Sequence, residues 1–345
     1  MKVLFLTDVH FSTYSSILRK RGKRYSLRLE NCCASVSWAE NLAEKLGANL
    51  IVYGGDFFDK SELTAEETTA LQDIYFSESC PHYVLVGNHE MKTRDRELST
   101  AHLFNTLYGK FTVIDEPKTI REEGQYITFL PYISEDERKP ISEYIKCEKK
   151  PIVFSHNDIA GIQMGQFISK NGFTLEEIED NCALFVNGHL HNGTFITKSI
   201  CNVGNLTGQN FSEDGFTYKH CAALVDTINL TIELYENPYA INFYKISVKE
   251  NFEEQSLVDL LTTLKNACVM FNVAEGDINR VKEIVNNLSN IITYKVATRI
   301  AQGEQACEHN IVELSSIDHI EEFKKYVISE LGESDLLSKE LQELQ

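Results

Sequence analysis

The sequence predicts an α/β fold in which helices cover a central sheet. Short apolar, β-branched runs alternate with amphipathic helical stretches through the first 230 residues. Polar residues collect where those runs end. The length, 345 residues with 43% hydrophobic, suffices for one large domain with a smaller appendage.

The elements follow in order. Residues 2–7 form an apolar, branched run that reads as a strand. Residues 28–46 place Leu29, Cys32, Cys33, Val36, Leu42, Ala43 and Leu46 on a helical period, with Gly47 positioned as the C-terminal cap. A strand at 50–53, a helix at 63–76 and a strand at 82–86 come next, then two short buried strands at 152–154 and 184–187. After Asn187 the pattern changes, and 194–197, 200–203, 221–226 and 227–235 read as antiparallel strands. The large domain is expected to close near Asn237-Pro238, spanning 1–240. A strand at 267–272, a helix at 277–288 and a strand at 291–297 predict a small α/β subdomain over 250–300. At 315–345 two apolar stripes (Ile320, Phe323, Val327 and Leu331; Leu337, Leu341 and Leu344) predict a helical tail. That tail either packs on its own domain or docks a partner.

Composition excludes several classes. The chain is too apolar for intrinsic disorder. The run from Val3 to Leu6 is too short for a signal peptide, and no stretch reaches the ~18–20 apolar residues of a membrane span, so no membrane association is expected. Nine cysteines without a Cys-x-x-Cys pair suit reduced thiols in a cytoplasm, mostly as small buried hydrophobes. The net charge of −18 argues against a nucleic-acid binder, but it is unevenly spread. Residues 1–50 carry eight Lys/Arg against four Asp/Glu, whereas 301–345 carry three Lys against eleven Asp/Glu.

Five segments carry the chemistry: Asp8-Val9-His10, Gly55-Asp56-Phe57-Phe58-Asp59, Gly87-Asn88-His89-Glu90, Ser155-His156-Asn157 and Gly188-His189-Leu190-His191. Nearly all end a predicted strand, and ligands at the C-terminal ends of strands in a layered sheet converge on one crevice. Carboxylate oxygens and imidazole nitrogens suit Mn²⁺, Fe²⁺ or Zn²⁺. In Asp-x-His or His-x-His on extended backbone, both side chains point to one face. Singly these segments are weak, because Gly-Asp is most often a turn and a lone His is most often a core histidine. Their joint occurrence is not.

In this order the motifs resemble those of the calcineurin-like metallophosphoesterase superfamily: D-x-H, G-D, G-N-H-[DE], H and G-H-x-H. The resemblance covers residues 8–191 and implies a two-sheet β-sandwich flanked by helices, with two divalent metals at the strand ends. It implies that Asp8, His10 and His191 hold one metal, that Asn88, His156 and His189 hold the second, and that Asp56 bridges both. His89 would stay unligated over the scissile phosphate as the catalytic proton donor. Two cations about 3.5–4 Å apart can share a hydroxide and grip the phosphate. Glu90 either orients His89 or is a solvated carboxylate.

Within that superfamily the chain resembles the Mre11/SbcD nucleases. Gly-Asp-Phe-Phe-Asp is similar to their G-D-[LF]-F-[DH], Asp59 standing where some members have His. Lys60-Ser61 follows in place of the Arg-Gly of the phosphoprotein phosphatases. Asn202-Val203-Gly204-Asn205 is similar to the strand and turn that close the nuclease site. The resemblance, to short phage-like versions, implies Mn²⁺-dependent DNA cleavage in end processing, recombination or repair. It further implies a Rad50/SbcC-like coiled-coil ATPase as partner, a possible homodimer, and the cytoplasm of a bacterial or phage-infected cell. Arg19, Lys20, Arg21, Lys23, Arg24 and Arg28 crowd the segment after the first motif, where they either contact DNA phosphates or decorate an exposed loop. A stand-alone phosphoesterase acting on nucleotides or other small phosphoesters is the alternative. His82, His102, His220, His309 and His319 read as structural or surface residues.

Overall fold

Lys2–Leu6 lies near the middle of a six-stranded sheet because its side chains are apolar on both faces. It pairs in parallel with Leu50–Tyr53, which continues through His82–Leu85 to Phe111–Ile114. On its other side it pairs antiparallel with Cys221–Asp226, which pairs with the edge strand Thr231–Glu236. The computed structural model describes residues 1–107, 110–164 and 167–298.

A second six-stranded sheet repeats the plan. Gln125–Leu130, Ile152–Ser155, Leu184–Asn187 and Ile200–Asn202 run parallel, flanked by the antiparallel edges Lys118–Glu122 and Thr194–Phe195. The two sheets face each other across one core. Val3, Phe5, Val52 and Leu85 of the first meet Phe129, Ile152, Phe154 and Val186 of the second. On the outer face of the first sheet lies the helix Leu27–Leu46, packed through Leu29, Cys32, Val36, Ala39 and Ala43. Ser26 caps its start, and Gly47, at φ 65°, closes its end in the left-handed conformation that glycine adopts freely. Leu175–Asn181 covers the outer face of the second sheet. The expected sandwich flanked by helices is the fold.

Several boundaries differ from the expectation. The helix predicted at 63–76 is reduced to Ala65–Leu71, because the Thr64–Glu67 capping box fixes its start. The strand predicted at 200–203 is not antiparallel throughout. Ile200–Asn202 pairs in parallel with Leu184–Asn187 and antiparallel only with the short Thr194–Phe195. Residues 227–230 are the turn that joins the last two strands of the first sheet, not part of a strand.

Asn242–Ser247, Ala267–Val273 and Ile291–Thr298 form a separate three-stranded parallel sheet, covered by Glu254–Thr263 and Ile278–Asn286 over its own apolar cluster. The tail predicted at 315–345, with His309 and His319, lies outside the described residues. The eight described cysteines are free, and six of them are buried. No helix among the described residues is long and apolar enough to cross a membrane.

Candidate metal centre

All five motifs leave the C-terminal ends of parallel strands, and the backbone bends sharply as it does so. Asp8, His10, Asp56 and His189 have φ of 51°, 46°, 49° and 73°, a region that non-glycine residues rarely occupy. Neighbouring loops lock these conformations: Asp8 N donates to Gly55 O at 3.1 Å and His10 N to Asp56 O at 3.0 Å. Strain of this kind persists only where the surroundings over-determine it, and it concentrates at functional sites. The motif glycines are needed for space. A Cβ on Gly87 would lie 2.1 Å from Asp56 Oδ1, and one on Gly55 would lie 2.4 Å from His156 Nδ1.

The turns bring two groups of ligand atoms together. Asp8, His10 and His191 form one; Asp56, His156 and His189 form the other, with each group's atoms within 4.8 Å of one another. Asp56 lies between them, its Oδ2 3.2 Å from His156 Nε2 and 3.9 Å from His10 Nε2. His10 Nε2 and His191 Nε2 are 3.1 Å apart.

Each imidazole is anchored through its other nitrogen. His10 Nδ1 donates to Asp59 Oδ1 at 3.1 Å, His191 Nδ1 to Glu213 Oε1 at 3.2 Å, and His156 Nδ1 to Gly54 O at 2.6 Å. His189 Nε2 lies 3.3 Å from Asp158 Oδ1, which leaves its Nδ1 as the ligand atom. Anchors of this type fix ring orientation and tautomer at metal sites.

The residues fit a pair of divalent cations. Asp8 Oδ1 and Asn88 Oδ1 are buried atoms without a hydrogen-bond partner, an expensive arrangement unless a cation completes it. The field has the matching sign. Burial works against the Asp8 carboxylate, but the charges of His156, His10 and His191 outweigh it and hold Asp8 at about 2. Asp56 is likewise held well below the usual carboxylate range against its burial. Burial pulls His10 down, yet Asp59, Asp8 and Asp56 raise it to about 10. Against the same penalty Asp56 and Asp8 lift His156 to about 9.

The sequence profile of the calcineurin-like phosphoesterase family matches residues 1–215. The chain belongs to this family. The phosphoesterase is also similar to two viral proteins, both provisionally described as phosphoesterases. With 244L of Invertebrate iridescent virus 6 it shares 25% identity over 224 residues, which cover 61% of this chain and 72% of the relative. With 078R of Invertebrate iridescent virus 3 it shares 24% over 223 residues, which cover 62% of this chain and 59% of the relative's length. Among solved structures, a dimetal phosphatase from Danio rerio aligns at TM-score 0.41 and 12% identity, over 69% of this chain and 96% of that one. A protein of unknown function from Aquifex aeolicus aligns at TM-score 0.26 and 17% identity, over 55% and 79%.

The remaining expected site residues separate clearly. His89 projects from the pocket with 45% of its side chain exposed, its ring edge-on to His10 at 4.6 Å and its Nδ1 3.2 Å from Asp59 O. Glu90 is neither solvated nor an orienter of His89. It is fully buried and accepts from Phe58 N at 3.0 Å and Gly87 N at 2.8 Å, tying the second motif to the third. Burial and the nearby Asp56 push its carboxyl up to about 7. Arg28, placed with the surface cations by its neighbours in sequence, is buried. It donates to Gly208 O at 2.9 Å and Val9 O at 3.1 Å, which is structural work. Arg21 pairs with Glu66 at 2.8 Å and Arg24 with Asp73 at 2.6 Å, while Lys20 Nζ donates to Ile292 O at 2.5 Å. Arg19 and Lys23 are exposed.

Sequence reasoning missed Glu213, Asp158 and an asparagine ladder. Asn157 N donates to Asn187 Oδ1, Asn187 Nδ2 to Asn202 Oδ1, and Asn202 Nδ2 to Leu190 O at 2.6 Å, inside the His-x-His turn. The ladder had a visible signal, an Asn within three residues of the end of each of three predicted strands. Asp158, two residues past His156, had a weaker one. Glu213 had none.

Proposed function

We propose that this phosphoesterase is the Mn²⁺-dependent DNA nuclease subunit of an assembly with a Rad50/SbcC-like coiled-coil ATPase, acting in DNA end processing, recombination or repair. In this reading Asp8, His10 and His191 hold one divalent cation, Asn88, His156 and His189 the second, and Asp56 both. When bound, the pair supplies a water deprotonated near neutral pH and a clamp on the phosphate oxygens.

The chain's own groups do the rest. Asp59 O engages His89 Nδ1, which leaves the other nitrogen to deliver a proton to the leaving alkoxide. Glu90 holds the Phe58 and Gly87 turns in register, which keeps Asp56 and Asn88 in place.

The observation that carries the nuclease reading is what borders His10. A cleft of roughly 190 Å³ beside it is lined by Tyr14, Ser15, Ser16, Asp59 and Gln209. The same segment runs on into the exposed Arg19, Lys20 and Lys23, cations of the kind that suit a polyanion. The Gly-Asp-Phe-Phe-Asp motif, without the arginine of the phosphoprotein phosphatases, points the same way.

The test is degradation of linear duplex DNA in Mn²⁺ across a salt series. Replacing Arg19, Lys20 and Lys23 together with Ala is expected to weaken DNA binding and to flatten the salt dependence, by about one unit of slope for each phosphate no longer neutralised. Hydrolysis of a small chromogenic diester should be unchanged. No cleavage of any DNA, alongside rapid nucleotide turnover, overturns the reading. One observation favours that second reading, a stand-alone enzyme for small phosphoesters: Glu66 and Asp73 already engage Arg21 and Arg24, in a chain of net charge −18.

A further inference from the structure

Glu213 is 2% exposed and lies outside every motif, yet it reaches the centre. One carboxylate oxygen accepts from His191 Nδ1 at 3.2 Å and the other from Gln209 N at 2.8 Å. Burying a carboxylate is costly unless positive charge or several donors compensate it. One backbone N–H is too little. The balance comes through the His191 ring, whose Nε2 faces His10 Nε2 and Asp8 Oδ1 at the first ligand group.

The loop that carries Glu213 is seated on the small sheet. Gly208 N donates to Ile241 O at 3.0 Å and Gly215 N to Phe243 O at 2.8 Å. The rings of Phe211 and Phe243 lie 5.2 Å apart, and those of Phe216 and Tyr244 4.9 Å apart. There is no slack in this seat, since a Cβ on Gly208 would come within 2.4 Å of Ile241 O. Arg28 fastens the same loop to the first motif by donating to both Gly208 O and Val9 O.

We propose that Glu213 is a positioning residue that sets the metal affinity of the Asp8–His10–His191 group, and that the strand Asn242–Ser247 sets the position of Glu213. The inference rests on the two-metal reading. It makes the small sheet a support of the metal centre, so that whatever binds or shifts this sheet changes how tightly one of the two ions is held. The second group has anchors of its own, Gly54 O for His156 and Asp158 for His189.

The test is calorimetric titration of the metal-free full-length protein with Mn²⁺. Wild type is expected to take up two ions. Glu213→Gln, equal in size, should weaken one of them about 10–100-fold and leave the other unchanged. His191→Gln serves as the reference for that ion, and adding Glu213→Gln to it should cause no further loss. Equal affinities in wild type and Glu213→Gln, or losses that add in the double variant, overturn the proposal while leaving the two-metal reading intact. A wild type that takes up fewer than two ions contradicts the two-metal reading itself. Should Glu213→Gln fail to fold, Phe243→Leu carries the test. It loosens the seat without touching the carboxylate, the same ion must weaken, and an unchanged affinity overturns the proposal.

Discussion

His10 and His191 point their Nε2 atoms at each other across 3.1 Å, each ring held from behind by a carboxylate, Asp59 and Glu213. Two imidazole lone pairs at that separation repel unless a cation lies between or beside them. Without metal that cation is a proton. A bound metal ion would take the proton's place.

Metal binding should therefore release protons. His10 and His156, raised to about 10 and about 9, are protonated at neutral pH in the metal-free protein, and each must lose its proton to become a ligand. The apparent affinity for Mn²⁺ should rise with pH from 6 to 8, with roughly two protons released per loaded centre. Titrations in buffers of different ionisation enthalpy measure this. Affinity independent of pH contradicts it.

The same shifts set the stability of the metal-free protein. Both histidines have folded-state values above the ordinary 6.5, so the folded state binds protons that the unfolded state has already lost. That stabilisation is complete below about 6.5 and disappears as pH rises through 9 and 10. Tm of the metal-free protein should fall over this window. In the Mn²⁺-loaded protein the ions replace the protons and the fall should be absent.

His89→Ala should leave both ions bound and lower kcat by about 10²–10⁴-fold, the usual contribution of a positioned proton donor. The ring is exposed and contacts the fold mainly through Asp59 O, so Tm should hardly change. Metal content by mass spectrometry and turnover of a chromogenic diester separate the two effects. Full activity would remove His89 from the chemistry.

Arg28→Ala should behave as a structural lesion. It strips the charged donors from Gly208 O and Val9 O inside the fold, at about 1.5–3 kcal/mol for each hydrogen bond from a charged group. Denaturant unfolding should show the loss. A variant that keeps its stability but loses DNA affinity would return Arg28 to the surface cluster.

The strands and the site differ in how openly the sequence carries them. The central parallel strands are legible at 50–53 and 184–187 because they are buried on both faces and hence continuously apolar. Phe111–Ile114 and Gln125–Leu130, each with half-exposed positions, have no such signature and escape a reading of the sequence. The ligand residues are legible because the chemistry needs fixed types at fixed offsets from strand ends. Of their anchors, Asp59 is legible as part of the second motif, whereas Asp158 and Glu213 are far less so. Asp158 and Glu213 act through distance in space, and a carboxylate 22 residues beyond His191 carries no periodic or local mark. Arg28 misleads for a related reason, since sequence crowding with Arg19–Arg24 says nothing about which face of the helix turns inward.

The two-metal centre requires Asp56 to be shared by two ions. The direct measurement is the metal content of the purified protein, with anomalous scattering from a Mn²⁺-loaded crystal, for wild type and Asp56→Ala. Two ions on either side of Asp56 in wild type, and loss of the pair in the variant, are the predicted result. A single ion in wild type, or two ions undisturbed by Asp56→Ala, would overturn the shared role of Asp56.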